Sequence, residues 1–502
     1  MAFITKNIFL KSSDCMRMAY MMLRDREDSI REELNEFEEH IIDQGREIGE
    51  MARELFPGGV MVEEKDGAAA AARTKSLMKN PSVGVIFEAA FVKDGFIARP
   101  DIIRRTESVA WEMIEVKSGV YDTCDKKSGV DKVKKHSPDA AYTLMLMNAC
   151  GVEVSRVTLK LVSRAYRLGM QNSELFADID ITEPVFKKKT EFESKRSAIE
   201  AALNSKAIPD YSQKTECKIC KYNNECPVSK IEYPLFSLSG IRQKEVDKLI
   251  KLGCVSIKDI PDGYFDGNKS PVRRMMQKAI KTGAPFIGPD FQKELAKVKW
   301  PAYYLDFETL AAALPFYDDL APHESALLQY SLHVKNSPDD ANPDHYEFII
   351  KSGTDCRREL IEHLIADLSR HEDNGSIIVY SNYEETQIKK AIKLFPEFAA
   401  SLNAIISRLF DLREFLRGNY YHMNFKGSYS IKKTLPAMVP GMSYDGLAVR
   451  NGGEAIVWLY NIVTNRLTHD ECEKAACDLL EYCCQDTLAM VKLHERLMKN
   501  KV

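Results

Sequence analysis

Asp101, Glu115 and Lys117 are the residues from which chemistry is most readily assembled in this sequence. Asp101 follows Arg99-Pro100 and opens the apolar pair Ile102-Ile103; further on come Glu115 and Lys117, with Val116 between them. On a strand, positions i and i+2 share a face, so Glu115 and Lys117 point together while Ile114 and Val116 turn toward the core. A hairpin that returns the chain beside Asp101 brings two carboxylates and an ammonium to one edge. Paired carboxylates hold a hard divalent cation, and a neighbouring lysine positions or polarises an attacking water. Glu88, upstream on the same run, is a candidate third acid.

Two further groups carry chemical potential. In KWPAYYLDFETL, Asp306 and Glu308 sit at i and i+2 on an apolar strand, with Leu305 and Phe307 on its other face. An acid pair on a buried strand requires a cation or protonation to be tolerated. Glu384 and Glu385 end the strand-like SIIVYSNYEE, FDLREFL offers Asp411, and Tyr482 and Asp486 are spaced to share one face of a C-terminal helix. The second group is thiol: Cys217, Cys220 and Cys226 form C-x2-C-x5-C, closed by Pro227. Such spacing in a reduced chain points to metal ligation, with zinc the first choice for four thiolates. No second C-x2-C follows, and Cys150 and Cys254 lie in apolar runs that read as core packing.

These groups need elements to position them. The 502 residues suffice for two or three domains. A net charge of -4 with 29% charged residues neither requires nor excludes a nucleic-acid partner, because basic groups act locally. One such cluster is the lysine-rich YDTCDKKSGVDKVKK at 121–135. No apolar run is long enough to span a bilayer and the N-terminal one is too short for a secretory signal, so a cytoplasmic protein without membrane partners is expected. Twelve cysteines in that compartment imply thiols and not disulfides. Residues 15–55 read as charged helix, and 68–72 as small residues leading into an element of the core. A strand, a turn at Asp94-Gly95 and a second strand then lead into the Asp101 motif. An apolar helix carrying Asp139 and Tyr142, an alternating strand in VSRVTLKLVSRAY and a polar helix at 183–206 follow. Residues 229–297 carry short helical patterns broken by Gly240, Gly253 and Asp262-Gly263, readable as a helix-hairpin-helix or a helical linker. The loop GSYSIKK at 427–433 suits phosphate contacts. No G-x4-G-K-[S/T] loop is present, so any ATP-driven step needs a partner.

The D-x(n)-E-x-K pattern resembles that of PD-(D/E)XK nucleases. One cysteine ahead of it and C-x2-C-x5-C behind it make residues 1–228 similar to the iron–sulfur branch of RecB-like nucleases, which includes the CRISPR-associated adaptation nuclease and the AddB nuclease domain. That resemblance implies a [4Fe–4S] cluster on Cys15, Cys217, Cys220 and Cys226, and a catalytic set of Glu88, Asp101, Glu115 and Lys117. The family often has His where Glu88 stands. Its Gln, one helical turn ahead of a Tyr, is replaced by Pro138 while Tyr142 is kept. The D-x-E strand with a late Y-x3-D helix resembles DEDD exonucleases of the tyrosine subtype on an RNase H-like fold. It implies Asp306, Glu308 and Asp486 as ligands of Mg2+ or Mn2+ and Tyr482 as the group that positions water, with Glu384 or Asp411 as the remaining acid. Residues 298–502 also resemble a bacterial domain of unknown function that follows RecB-like nuclease domains.

The expected architecture is therefore α/β in three parts: a PD-(D/E)XK domain with an iron–sulfur cluster at 1–228, a helical module at 229–297, and an RNase H-like domain at 298–502. The implied activity is metal-dependent hydrolysis of DNA phosphodiesters, with a second 3′–5′ exonuclease site, in repair, recombination or defence against foreign DNA. RNA stays open as a substrate. The competing expectation is a non-catalytic nucleic-acid-binding scaffold, or a nuclease subunit of a larger helicase or defence complex.

Overall fold

A computed structural model describes residues 2–27, 34–107, 110–267, 271–370 and 374–499. It is a mixed α/β protein, about half helical. The chain forms two compact units: Met1–Pro227 together with Ala311–Glu324, and Val228–Leu310 together with Ser325–Val502. Among the described residues no helix is long and apolar enough to cross a membrane.

The first unit is built on a six-stranded sheet in the order Val60–Met61, Val85–Phe87, Ile102–Arg105, Trp111–Tyr121, Val154–Ser163, Phe176–Asp180. Ile102 stands opposite Ile114 in antiparallel register, which is the hairpin that brings Asp101 next to Glu115. The central strand Trp111–Tyr121 is apolar on both faces. Trp111 and Met113 enter one core cluster, while Ile114 and Val116 enter another. Glu115 and Lys117 therefore continue a face that is itself covered, and Glu115 is only 1% exposed. A strand buried on both sides makes polar positions on it expensive unless paired.

Local sequence accounts for the elements around this sheet. Asp94 and Gly95, both at positive φ, form the two-residue turn of the Phe91–Lys93/Phe96–Ala98 hairpin, a geometry that Asp-Gly adopts readily. The helix Glu36–Glu54 starts with a reciprocal capping box between Asn35 and Glu38, with bonds of 2.9 and 3.0 Å. The basic run at 121–135 ends the central strand and starts the helix Lys126–Ala149, which keeps Pro138 inside it and is buried from Ala140 to Met147. Tyr142, expected at the catalytic site, is elsewhere. It is wholly buried, and its hydroxyl donates to the carbonyls of Ile4 (2.7 Å) and Ile97 (3.0 Å), tying the helix to the hairpin.

The second unit has a five-stranded sheet in the order Asp344–Ile349, Ala326–Lys335, Ala302–Leu310, Ile377–Val379, Leu409–Asp411. The first two pairings are antiparallel and the last two parallel. On the middle strand Tyr303, Leu305 and Phe307 enter the core. Tyr304, Asp306 and Glu308 take the other face, where the helices Gly452–Val463 and His469–Lys499 pack. The pairing register shifts between Glu308 and Thr309, a bulge next to the acid pair.

Two boundaries differ from the sequence reading. Residues 229–297 are not a separate module but part of the second unit. Their helices Gln243–Lys251 and Pro271–Thr282 are followed there by a short strand, Phe286–Ile287, paired with Tyr420–Tyr421. A two-residue strand leaves no period for sequence reading to detect. Residues Ala311–Glu324, expected within the C-terminal domain, belong to the first unit. There the Ala313 amide donates to Gln44 Oε1 at 2.6 Å, and His323 bonds through a ring nitrogen to the Ser118 carbonyl at 2.6 Å.

Removing the Tyr142 hydroxyl takes a donor from the part-buried Ile97 carbonyl and from the Ile4 carbonyl, which keeps the Ile97 amide at 3.1 Å, so Tyr142→Phe should cost about 0.5–1.5 kcal/mol of stability. Urea unfolding of the first unit reads this directly, and a variant as stable as the wild type would remove Tyr142 from the structural account.

Candidate functional site

In the first unit, Asp101 caps the hairpin and accepts the Val116 amide on Oδ2 at 2.6 Å. Glu115 Oε1 receives two ammonium groups, Lys117 Nζ at 2.7 Å and Lys6 Nζ at 2.9 Å. Both lysines also approach Asp139 Oδ2, at 3.8 and 3.7 Å. The other oxygen, Glu115 Oε2, is buried without a hydrogen-bond partner among the described residues. A buried carboxylate with one oxygen doubly paired and the other unpaired suits a cation on the open side.

Burial disfavours the ionised form of Glu115, but Lys117 and Lys6 outweigh it and hold the carboxyl at about 2. Asp101 is pushed up to about 7 by burial and by the Glu115 charge, against Lys117 and the Val116 amide. Lys117 is disfavoured as a cation by burial, yet the Glu115 and Asp101 carboxylates raise it overall. Glu88 follows the strand Val85–Phe87 in the left-handed region at φ 53, and its amide donates to the Asp101 carbonyl at 3.0 Å. A non-glycine residue there costs on the order of 1–3 kcal/mol, and such residues cluster at functional sites. Glu88 is raised by burial, against Arg53 and Arg99. It lines a cavity of about 570 Å³ with Asp101, Val116, Ser118, Arg46 and Arg53. Lys6 and Asp139 were not legible: neither lies near the motif in sequence, and each reaches it from a covering helix.

The second unit gathers its acids more tightly. Ligand oxygens of Asp306, Glu308 and Asp486 lie within 4.8 Å of one another. Glu384, on the first turn of the helix Tyr383–Leu394 and not on the preceding strand, joins them in a cavity of about 300 Å³. Tyr482, Lys432, Tyr383 and Arg413 also line it. Burial, then Asp486, Glu384 and Glu308, raise Asp306 well above its ordinary value. Burial and Asp486 push Glu308 up to about 8, while Glu384 reaches about 7, chiefly through burial. Among the described residues no lysine is paired with these carboxylates as Lys117 is with Glu115; the Lys432 ammonium donates instead to the Arg450 carbonyl at 2.9 Å. Its Nζ sits 5.1 Å from the ring centres of both Tyr444 and Tyr482. Tyr444 donates its hydroxyl to Asp486 Oδ1 and was not foreseen. Its sequence context, MSYDG, carries no catalytic signature.

Asp411 does not line the cavity. It caps the helix Leu412–Asn419 by accepting the Glu414 amide at 2.9 Å, and acts on Glu384 through its charge. Buried Glu384 and Asp486 and partly buried Asp306 and Glu308 offer the hard oxygen donors that Mg2+ and Mn2+ take.

A third group lies in the first unit. Cys15 separates the helices Lys6–Asp14 and Met16–Glu27, and Cys217 lies in the turn Thr215–Lys218. Burial pushes the Cys217 thiol up, with Cys15, Cys220 and Cys226 close enough to raise it further. Cys220 has the same surroundings, with Lys11 close by. The Lys214 amide donates to Cys217 Sγ at 3.4 Å. Four partly buried thiols from two distant segments form a donor set that suits iron–sulfur or zinc ligation. All twelve cysteines are thiols. Cys254 is buried as expected, whereas Cys150 is exposed and not a core residue: it terminates the helix Lys126–Ala149 where the chain returns to the surface. The loop at 427–433 leads into the helix Ile431–Met438, which delivers Lys432 to the acid cavity.

Residues 303–430 match a family described as Domain of unknown function (DUF2779). That span holds Asp306, Glu308 and Glu384 but ends before Tyr482 and Asp486. Among curated proteins, the chain is similar to "Uncharacterized protein MG366" of Mycoplasma genitalium, at 25% identity over 41% of this chain and 33% of that protein. Its homolog in Mycoplasma pneumoniae is 26% identical over the same shares. "Uncharacterized protein UU173" of Ureaplasma parvum is 24% identical over 41% of this chain and 32% of its own length. The aligned part thus spans about a third of each curated relative.

Clustered buried carboxylates destabilise the cation-free fold. In chelator-treated full-length protein, Asp306→Asn should raise the unfolding midpoint of the second unit, by on the order of 1–3 kcal/mol in stability. Mn2+ should raise the wild-type midpoint and leave the variant's nearly unmoved. An Asn variant less stable than the cation-free wild type would contradict the repulsion.

Proposed function

We propose that the protein is a metal-dependent nuclease that hydrolyses DNA phosphodiesters, with a RecB-like PD-(D/E)XK centre in the first unit and a DEDD-type 3′–5′ exonuclease centre in the second. The observation that carries this reading is the convergence of Asp306, Glu308, Glu384 and Asp486 on one cavity, from a strand and two helices. The Asp101–Glu115–Lys117 arrangement supports a second centre of the same chemical class. An RNase H-like second unit is supported by the mixed sheet whose earliest strand is central, with antiparallel partners on one side and parallel ones on the other.

Mg2+ or Mn2+ held by these acids supplies Lewis-acid polarisation and neutralises charge developing on the phosphate. The protein's own groups do the rest. In the second unit Asp306, Glu308, Glu384 and Asp486 hold the cations. Tyr482, on the same helix face as Asp486, orients the attacking water, and Lys432 meets the phosphate in the cavity. Tyr444 fixes the Asp486 carboxylate. In the first unit Asp101 and Glu115 are the ligands, with Glu88 at the cavity wall. Lys117, tethered to Glu115 at 2.7 Å, presents its remaining protons to water. Cys15, Cys217, Cys220 and Cys226 would hold a [4Fe–4S] cluster that clips the first helices to the end of the unit. Repair, recombination or defence against foreign DNA is the setting, with a helicase or defence complex as the partner class.

A platform without catalysis is the rival reading, and one observation favours it: Lys6 and Lys117 already neutralise Glu115 without a cation. Cleavage of end-labelled single- and double-stranded DNA and RNA with Mg2+ or Mn2+ separates the two. Asp306→Ala should eliminate 3′-end degradation, and Tyr482→Phe should slow it about 10–100-fold. With Asp306→Ala as background, Lys117→Ala should abolish the remaining cleavage. Products unchanged by either substitution leave a platform.

Anaerobically purified protein should contain iron and absorb broadly in the visible, and Cys15→Ser should bleach it as fully as Cys220→Ser. Stoichiometric zinc without iron in the anaerobic wild type would replace the cluster by a structural zinc site.

A further inference from the structure

The second unit holds another ligand-bearing cluster that takes no part in the chemistry above. His333 on the strand Ala326–Lys335 and His345 on Asp344–Ile349 stand directly opposite each other in antiparallel register. Their ring centroids are 4.4 Å apart. Cys484 reaches them from the helix His469–Lys499. One ring nitrogen of each histidine and Cys484 Sγ lie within 4.8 Å of one another, with His333 buried and the other two partly buried. The rings are held in place by a chain of hydroxyls: His333 Nδ1 to Thr487 Oγ1 at 2.8 Å, Thr487 Oγ1 to Ser331 Oγ at 2.8 Å, and Ser331 Oγ to His345 Nε2 at 2.9 Å.

Three features argue against simple packing. Strand register brings the two histidines together, but Cys484 comes from a helix packed on that sheet, so the three ligand atoms meet only in the tertiary fold. Each imidazole has one nitrogen hydrogen-bonded to a hydroxyl, which fixes its plane and leaves the other nitrogen outside that chain; metal-ligating histidines are oriented by such second contacts. A further oxygen donor is also at hand. Glu347 shares the strand face of His345 and is a charged neighbour of Cys484; its Oε2 is 3.8 Å from His345 Nε2, the ring nitrogen that Ser331 holds.

We propose that His333, His345 and Cys484 form a structural site for a borderline-soft transition metal of the zinc class, with Glu347 or water as the fourth ligand. Two imidazoles and a thiolate select Zn2+ over Mg2+ or Mn2+, the reverse of the all-oxygen cluster at Asp306. The metal ties two strands to the helix that carries Tyr482 and Asp486, and so fixes that helix against the sheet. The site does not depend on whether the acid cluster is catalytic.

The test uses full-length protein, chelator-treated, reloaded with Zn2+ or Co2+ and desalted. Cys484→Ser and His345→Gln should each hold about one equivalent of zinc less than the wild type, with iron content unchanged. The cobalt difference spectrum, wild type minus Cys484→Ser, should show a thiolate-to-metal charge-transfer band. Zinc should raise the unfolding midpoint of the wild type more than that of either variant. Since His345 is partly exposed and tolerates Gln sterically, a folding failure of Cys484→Ser alone leaves the second variant decisive. Equal zinc content in wild type and His345→Gln, or a cobalt difference spectrum without the thiolate band, overturns the proposal.

Discussion

Like charges cannot be buried side by side without compensation, and both units are arranged around that constraint. Each brings carboxylates onto an apolar sheet, where desolvation alone makes the ionised form costly. The first unit supplies internal compensation. Lys117 follows Glu115 by two positions on the same strand, and Lys6 arrives from a covering helix to the same oxygen. Asp101 is left with its carboxyl pushed up by burial and by the Glu115 charge. The second unit supplies less: Lys432 lowers Glu308 and Asp486 electrostatically but spends its hydrogen bond on a backbone carbonyl. Its cluster is neutral only when protonated or occupied by cations. The two groups of acids thus differ in how far the protein itself neutralises them.

Legibility followed the same division. Where candidate site residues sit at i and i+2 on one strand, or at i and i+4 on one helix, periodicity reveals them: Glu115 with Lys117, Asp306 with Glu308, Tyr482 with Asp486. The Asp94-Gly95 turn was readable because its chemistry is local. Glu384 was identified as a residue but assigned to the end of a strand, whereas the strand ends at Val379 and Glu384 begins the next helix. Asp411 and Glu384 were indistinguishable because both follow short apolar runs; only the fold shows one in the cavity and the other capping a helix. Tyr142 was misread because a buried tyrosine and a catalytic one carry the same side chain, and the difference lies in which carbonyls it meets.

What escaped altogether was contact between distant segments. Lys6 reaches Glu115 across 109 positions, and Tyr444 reaches Asp486 across 42. No motif spacing constrains such pairs; they depend on which helix covers which strand. The same holds for Ala311–Glu324, whose composition resembles the loops around it but whose contacts lie in the first unit. His333 and His345 went unremarked because single histidines on strands carry no pattern until register sets them opposite each other.

The helix His469–Lys499 concentrates these dependencies. It carries Tyr482 and Asp486, and ligand geometry tolerates only about half an ångström of error. Its apolar packing sets the distance from the sheet but is non-directional, so it does not by itself fix rotation or sliding along the axis. Directional contacts do. The Leu479 carbonyl accepts from buried Gln329 at 2.8 Å, Thr487 joins the hydroxyl chain to His333, and His494 bonds Tyr304 at 2.8 Å. Spread over four turns of the helix, they leave neither a one-residue slide nor a rotation without a broken buried hydrogen bond. Tyr304 and Asp306 share one face of the same strand, so the bond at one end fixes the ligand spacing at the other. The polar residues buried between helix and sheet are thus explained by register: they hold Asp486 opposite Asp306 despite the repulsion between the two carboxylates.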